Sequence, residues 1–285
     1  MGIVIFDGVA YGMLLFLIAV GLSITMGLMN FVNLAHGAFA MVGGYAAAML
    51  MNSHGWGFFP ALAASFVAAA VVGGVMELLL YRRLYRSHPL DQVLLSIGIV
   101  FVSIASFTYF FGPSMQPFTV PEALSGQISV AGIEMGRYRL FLIACGLVVL
   151  AALMLLLNRT RFGAMVRASV DNQRVAKGVG IPVQKLFFCT FVLGCGLAGL
   201  GGALSLGVLG LEPTFPLKYL VLFLMVVCVG GAGTIIGPFV AALVVGVVDV
   251  AGKYYLPEAG AFLIYIFMVV TLLLRPRGLI PRKGA

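Results

Sequence analysis

The chain has 285 residues, of which 62% are hydrophobic and only 9% are Asp, Glu, Lys or Arg. Soluble domains run at roughly 45–50% apolar and about 25% charged residues, so this chain lacks the polar surface to cover its core in water. A net charge of +8 in a soluble protein would suggest nucleic acid, but here the charges sit in short stretches between apolar runs, the pattern of membrane-protein loops, and no nucleic-acid partner is expected.

About 20 apolar residues carry a helix across the hydrocarbon core. Residues 9–29 supply a first span, after a start, Met1–Gly8, without the basic region of a cleavable signal peptide. A shorter segment, 38–52, follows the polar break Asn30–His36, and 58–81 runs up to Arg82, Arg83 and Arg86. Span 91–111 precedes a loop rich in Pro and Gly, Gly112–Gly136. Span 140–157 leads into the most polar stretch, 158–185. The last segments are 186–210, 219–230, 235–250 and 260–274. The expected fold is an all-α polytopic transmembrane helix bundle of about eight membrane segments, two of them short or broken, in a single domain over 1–285.

Thirteen of the 17 Lys and Arg fall in three stretches: Arg82, Arg83 and Arg86; Arg159, Arg161, Arg167, Arg174, Lys177 and Lys185; Arg275, Arg277, Arg282 and Lys283. The positive-inside rule puts these, and the C-terminus, in the cytoplasm, with 112–137, 211–218 and 251–258 outside. Cys145, Cys189, Cys195 and Cys228 all lie in apolar segments and read as small hydrophobes.

Two places break the apolar pattern: Asn30 to Gly37, and Gly230-Gly231-Ala232-Gly233-Thr234 followed by Gly237-Pro238. Interrupted segments in both halves of a chain point to a substrate path, so Asn30, Asn33, His36, Gly37, Gly230, Gly231, Gly233 and Thr234 are its candidates. On a helix, Asn30, Asn33 and His36 would share a face; the plainer role for them is hydrogen bonding between helices. Glycine runs such as 194–203 fit close helix packing. Glu77 and Asp249 sit in apolar segments, where an ionisable group is a functional candidate by default, although each lies near a segment end and can reach an interface.

In 158–185 the spacing predicts one short helix over Ala164–Ala176, stopped by Gly178, Gly180 and Pro182. Arg167, Asp171 and Arg174 would share a face, with Met165, Ala168, Val175 and Ala176 making apolar contacts. This is either a solvated basic loop or a docking element for a cytoplasmic partner. No catalytic pair or metal cluster stands out in any loop.

Four motifs resemble those of the inner-membrane permeases of branched-chain amino-acid ABC importers, specifically the shorter, H-type permease. They are Gly27-Leu28-Met29-Asn30-Phe31-Val32-Asn33-Leu34-Ala35-His36-Gly37-Ala38-Phe39 with Gly43-Gly44-Tyr45; Thr160-Arg161-Phe162-Gly163 to Arg167-Ala168 with Ala176 and Gly180-Ile181; Gly230 to Pro238; and Arg275-Pro276-Arg277-Gly278-Leu279. The resemblance covers nearly the whole chain. It implies a second permease subunit of the M type, two cytoplasmic ATPase subunits and an external solute-binding protein. With no GxxxxGK[ST] here, ATP would be used by a partner, no cofactor would bind directly and the chain would not be an enzyme. Residues 158–185 would form the coupling loop, acting through Gly163, Arg167, Ala168, Asp171 and Gly180. Related permeases serve leucine-type amino acids, urea, short amides or small organic acids. The alternative is a stand-alone ion-coupled secondary transporter or channel, with Glu77, Asp249 or His36 carrying ions.

Overall fold

The computed structural model describes residues 1–29, 33–85, 87–130, 133–231, 233–275 and 278–279. Its elements are helices joined mostly by short turns: α1 (Gly2–Met29), α2 (His36–His54), α3 (Phe58–Met76), a π-helical turn (Glu77–Tyr81), α4 (Arg82–Leu84) and α5 (Pro89–Phe111). After a hairpin come α6 (Arg137–Arg159), α7 (Arg161–Asp171), α8 (Gln173–Gly178), α9 (Val183–Ser205), α10 (Phe215–Lys218), α11 (Leu220–Gly230), α12 (Ile236–Tyr255) and α13 (Gly260–Leu274). Among the described residues, six helices are long and apolar enough to cross a membrane, and Phe215–Gly230 and Phe262–Leu274 form shorter apolar helices. The expected all-α bundle is what the chain forms.

Segment ends differ from the sequence reading in instructive ways. The 58–81 span continues to Leu84 through the π-helical turn. The Pro- and Gly-rich loop contains an antiparallel pair, β1 (Gln127–Val130) and β2 (Ile133–Gly136), too short to show a convincing alternation in sequence. The 219–230 segment begins earlier, as α10, where Pro216 takes a first-turn position that needs no N–H.

At the centre α1 packs along α12 and α9, while α9 also packs along α2 and α3. Backbones touch where glycines meet: Gly21 against Gly194, Gly43 against Gly199, and Gly202 against the carbonyl of Ala40. A Cβ at any of these three would strike backbone of the facing helix, the close approach that stands in for hydrophobic drive in lipid. Around this centre, α5 and α6 turn large apolar side chains outward, Leu94, Phe101, Val102 and Val148 among them.

The bundle has two unlike ends. At one, Gln173 Nε2 donates to the carbonyl of Leu28 (3.1 Å), Arg82 reaches Gln184 (3.2 Å) and Leu279 N bonds Val229 O (2.7 Å). This basic end gathers the described parts of the three Lys/Arg stretches; Arg86, Arg277, Arg282 and Lys283 lie outside the described residues. At the other, Asn52 Nδ2 donates to Pro117 O (3.0 Å) and Gln116 N to Leu211 O (2.8 Å). Here Arg139, Lys218 and Lys253 pair with Asp7, Glu212 and Asp249.

Candidate transport and coupling sites

At the basic end the α6–α7 junction is a tight corner. Thr160 Oγ1 accepts from Gly163 N (3.1 Å) and donates to Leu156 O (2.6 Å), so one hydroxyl caps the start of α7 and ties it to the last turn of α6. Gly163 is buried there, and a Cβ on it would overlap the carbonyls of Leu156 and Leu157. The single helix expected over Ala164–Ala176 is instead two. Asn172 takes an extended backbone conformation (φ −155°, ψ 102°), and its Oδ1 accepts from Arg174 N and Val175 N (both 3.0 Å). A short polar side chain that can bond nearby N–H groups caps a new helix more readily than it continues an old one.

The two-helix corner sorts the candidate coupling residues. Val166 and Ser169 are buried against the bundle, while Arg167, Ala168 and Asp171 are exposed. Ala168 and Val175, expected to make apolar contacts, lie on the open side; Ala176 is buried as expected. Gly180 ends the corner at φ 83°, a left-handed conformation that glycine adopts freely. A cavity of about 250 Å³ lies between α7 and the bundle, lined by Arg167, Val170 and Asp171 on one side and by Ile24, Gly233 and Ile235 on the other. The α7–α8 corner therefore faces the second glycine-rich break.

That break is fastened to α1. Gly233 N donates to Ser23 O and Ser23 Oγ to Thr234 O, both at 3.0 Å. Thr234 Oγ1 donates to Gly231 O (3.1 Å). Gly231 and Gly233 have φ values of 94° and 82°, and Gly233 lies against the backbone of Gly27. Gly230 abuts the Gly237–Pro238 peptide at the start of α12.

The first break sits at a different depth. Asn30 lies outside the described residues. Asn33 is in non-helical backbone and His36 opens α2, so these two do not share a helical face. Asn33 Oδ1 accepts from Tyr81 OH (2.9 Å) and Ala35 N (3.0 Å); His36 Nε2 bonds the carbonyl of Ile18 (2.9 Å). Both side chains are almost wholly buried, and Gly37 packs on Pro216. From Ile18 to the end of α1 at Met29 is about 16 Å at 1.5 Å per residue, so α2 starts inside the bundle rather than at its basic end. The structure thus places both breaks on α1, at Ile18 and at Ser23–Gly27, and does not set them face to face.

Glu77 is buried in the π-helical turn, where Oε1 accepts from Tyr85 OH (3.0 Å). Asp249 is buried at the opposite end and held to Lys253 at 2.6 Å. Sequence reasoning assigned no role to Ser23, Tyr81 or Asn172, and quoted Thr160 only as part of a motif. Only the last two carried a local signal, a capping residue before a helix; the first two act on residues far along the chain.

The family described as branched-chain amino acid transport system / permease component matches residues 4–272. The chain belongs to this family. Among similar proteins, this permease is 27% identical to the probable branched-chain amino acid transport permease protein LivH of Methanocaldococcus jannaschii, over 95% of this chain and 90% of that one. It is 26% identical to the high-affinity branched-chain amino acid transport system permease protein LivH of Escherichia coli K12, over 97% and 94%. Its similarity to LivM of the same strain is 23% identity over 94% of this chain but only 68% of LivM, so the permease matches the shorter H type in length as well as in sequence. No solved structure matches it.

Proposed function

We propose that this permease is one half of the membrane pore of an ATP-binding-cassette importer for branched-chain or other hydrophobic amino acids, a range that takes in related small solutes such as urea, short amides or organic acids. It sits in the bacterial inner membrane with its basic end and C-terminus in the cytoplasm, as the gathering of Arg82, Arg83, Arg159, Arg161, Arg167, Arg174 and Lys177 at one end supports. Its partners are an M-type permease subunit, two cytoplasmic ATPase subunits and an external solute-binding protein; ATP is used by the ATPases and no cofactor binds to this chain.

The observation that carries the reading is the capped corner α7–α8. It leaves Arg167, Ala168 and Asp171 exposed, and two of these, Arg167 and Asp171, also border the cavity shared with Gly233 and Ile235. A helix docked in a cleft of the ATPase would move as a rigid lever about the Thr160–Gly163 corner, with Gly180 as the flexible end. Its motion would reach the 231–235 break, and through Ser23 the helix α1 on which His36 also rests. A two-position element of this kind is what converts closure of a partner into opening of a path. Asn30, Asn33, His36, Gly37, Gly230, Gly231, Gly233 and Thr234 are the positions proposed to border that path or to hinge it.

The test is copurification and reconstitution. The chain is expected to bring down an ATPase subunit and, in liposomes with all partners, to support leucine uptake only with ATP. Uptake by the chain alone on an ion gradient would favour the stand-alone transporter instead.

A further inference from the structure

Asp249 and the ion pairs at the end away from the coupling corner take no part in the path described above, yet they border a hollow of mixed character between the helices. A cavity of about 400 Å³ lies between α1, α6, α10–α11, α12 and α13. One part of its wall is charged, from Asp7, Arg139, Lys218, Asp249 and Lys253; another is aliphatic, from Leu142, Leu222 and Ile264 among others. We propose that this cavity is an amino-acid subsite, which takes a free zwitterionic amino acid with an aliphatic side chain before it enters the deeper path.

The argument is one of matched exchange. The Asp249 side chain is only 4% exposed, whereas its partner Lys253 is 58% exposed on a long flexible stem. An exposed lysine holds a carboxylate weakly because ordering its side chain offsets most of the Coulomb gain. The ammonium of an amino acid carries the same charge and three donors as Lys253 Nζ, so it can replace Nζ on Asp249 without leaving a buried charge unpaired. Lys253 Nζ, while paired with Asp249, already lies about 6.0 Å from the centre of the Tyr11 ring, which offers a released cation a nearby resting place. The ligand carboxylate would then meet the freed Lys253, with Lys218 and Arg139, which are paired to Glu212 and Asp7, on the same wall. Its side chain would lie on the aliphatic wall. A solute with one charge satisfies half of this arrangement, and a polar side chain forfeits the rest.

This inference rests on the reading that the chain conducts amino acids, and the two can fail separately. The purified complex with its partner subunits, without the external binding protein, is titrated with labelled L-leucine, then challenged with 4-methylpentanoate, which lacks the ammonium, and 3-methylbutylamine, which lacks the carboxylate. Saturable leucine binding, with at least tenfold weaker competition by either analogue, is expected. Asp249→Asn should weaken binding at least tenfold and Lys253→Met far less. Val208→Trp, which adds bulk at an exposed wall residue, should weaken it without touching a charge. No leucine binding, or binding indifferent to both Asp249→Asn and Val208→Trp, overturns the subsite. Absence of ATP-driven amino-acid uptake by the unaltered complex with its binding protein overturns the functional reading instead.

Discussion

The two ends of this bundle use charge in opposite ways. At one, basic side chains flank a capped corner on which Arg167, Ala168 and Asp171 are exposed. At the other, Arg139, Lys218 and Lys253 are each matched with a carboxylate from the same chain. Cations left in excess at one end fit a surface oriented by the positive-inside rule and open to a partner. Cations neutralised within the chain cost that asymmetry little, which is how basic residues can stand at the far end without blurring the orientation.

Four substitutions sharpen or break this contrast. The largest effect is expected for Gly163→Val at the corner, because the added side chain must displace the end of α6. Overpacking of this kind costs about 1–3 kcal/mol, seen as a lower unfolding temperature in detergent together with loss of uptake. Arg167→Glu should instead leave the unfolding temperature in place and cut ATP-driven uptake at least tenfold, since Arg167 is exposed. If Arg167→Glu destabilises the chain as much as Gly163→Val does, the open face belongs to the fold and not to a partner. Asn172→Ala removes the cap of α8 and should cost about 1 kcal/mol, with coupling weakened but not abolished; hydrogen exchange at Arg174 and Val175 is the sensitive measure.

The smallest effect lies at the far end. The hydrogen bond from Lys218 holds the Glu212 carboxyl below its usual value. A depressed carboxyl contributes stability that is fully present above its unfolded value and is lost as pH falls through the folded one. Glu212→Gln should therefore cost less than about 1 kcal/mol at neutral pH, as for other exposed pairs. The difference between the two proteins should vanish on acidification. An effect as large as that of Gly163→Val would mean that the ion pairs, not the glycine contacts, hold this end together.

Much of this was legible in the sequence. Runs of apolar residues locate helices because a segment of that composition has no other stable place in lipid, and the spans are where hydropathy put them, although α1 starts at Gly2 rather than at residue 9 and α9 and α12 end at Ser205 and Tyr255 rather than at 210 and 250. Thr160 and Asn172 are local signals as well, although Asn172 was read as part of one helix when it starts a second. The depth of α2 was not legible: it depends on the carbonyl of Ile18, presented by another helix to His36. Nor was the role of Asn33, which looked like one member of a polar stripe and is instead the acceptor for Tyr81, 48 residues away. The tie between Ser23 and Thr234 spans 211 residues and left no trace in either neighbourhood.

By itself, then, the sequence determined that this protein is a membrane helix bundle, which of its stretches are basic, and which permease family it resembles. Each of these follows from composition or from residues adjacent in the chain. Only the tertiary structure decided that both breaks rest on α1 at different depths, that the α7–α8 corner borders the 233–235 stretch, and that Asp249 and Lys253 open onto a cavity lined by five helical segments. Those are outcomes of close helix packing, in which glycines let backbones approach and so decide which distant group each polar side chain can reach.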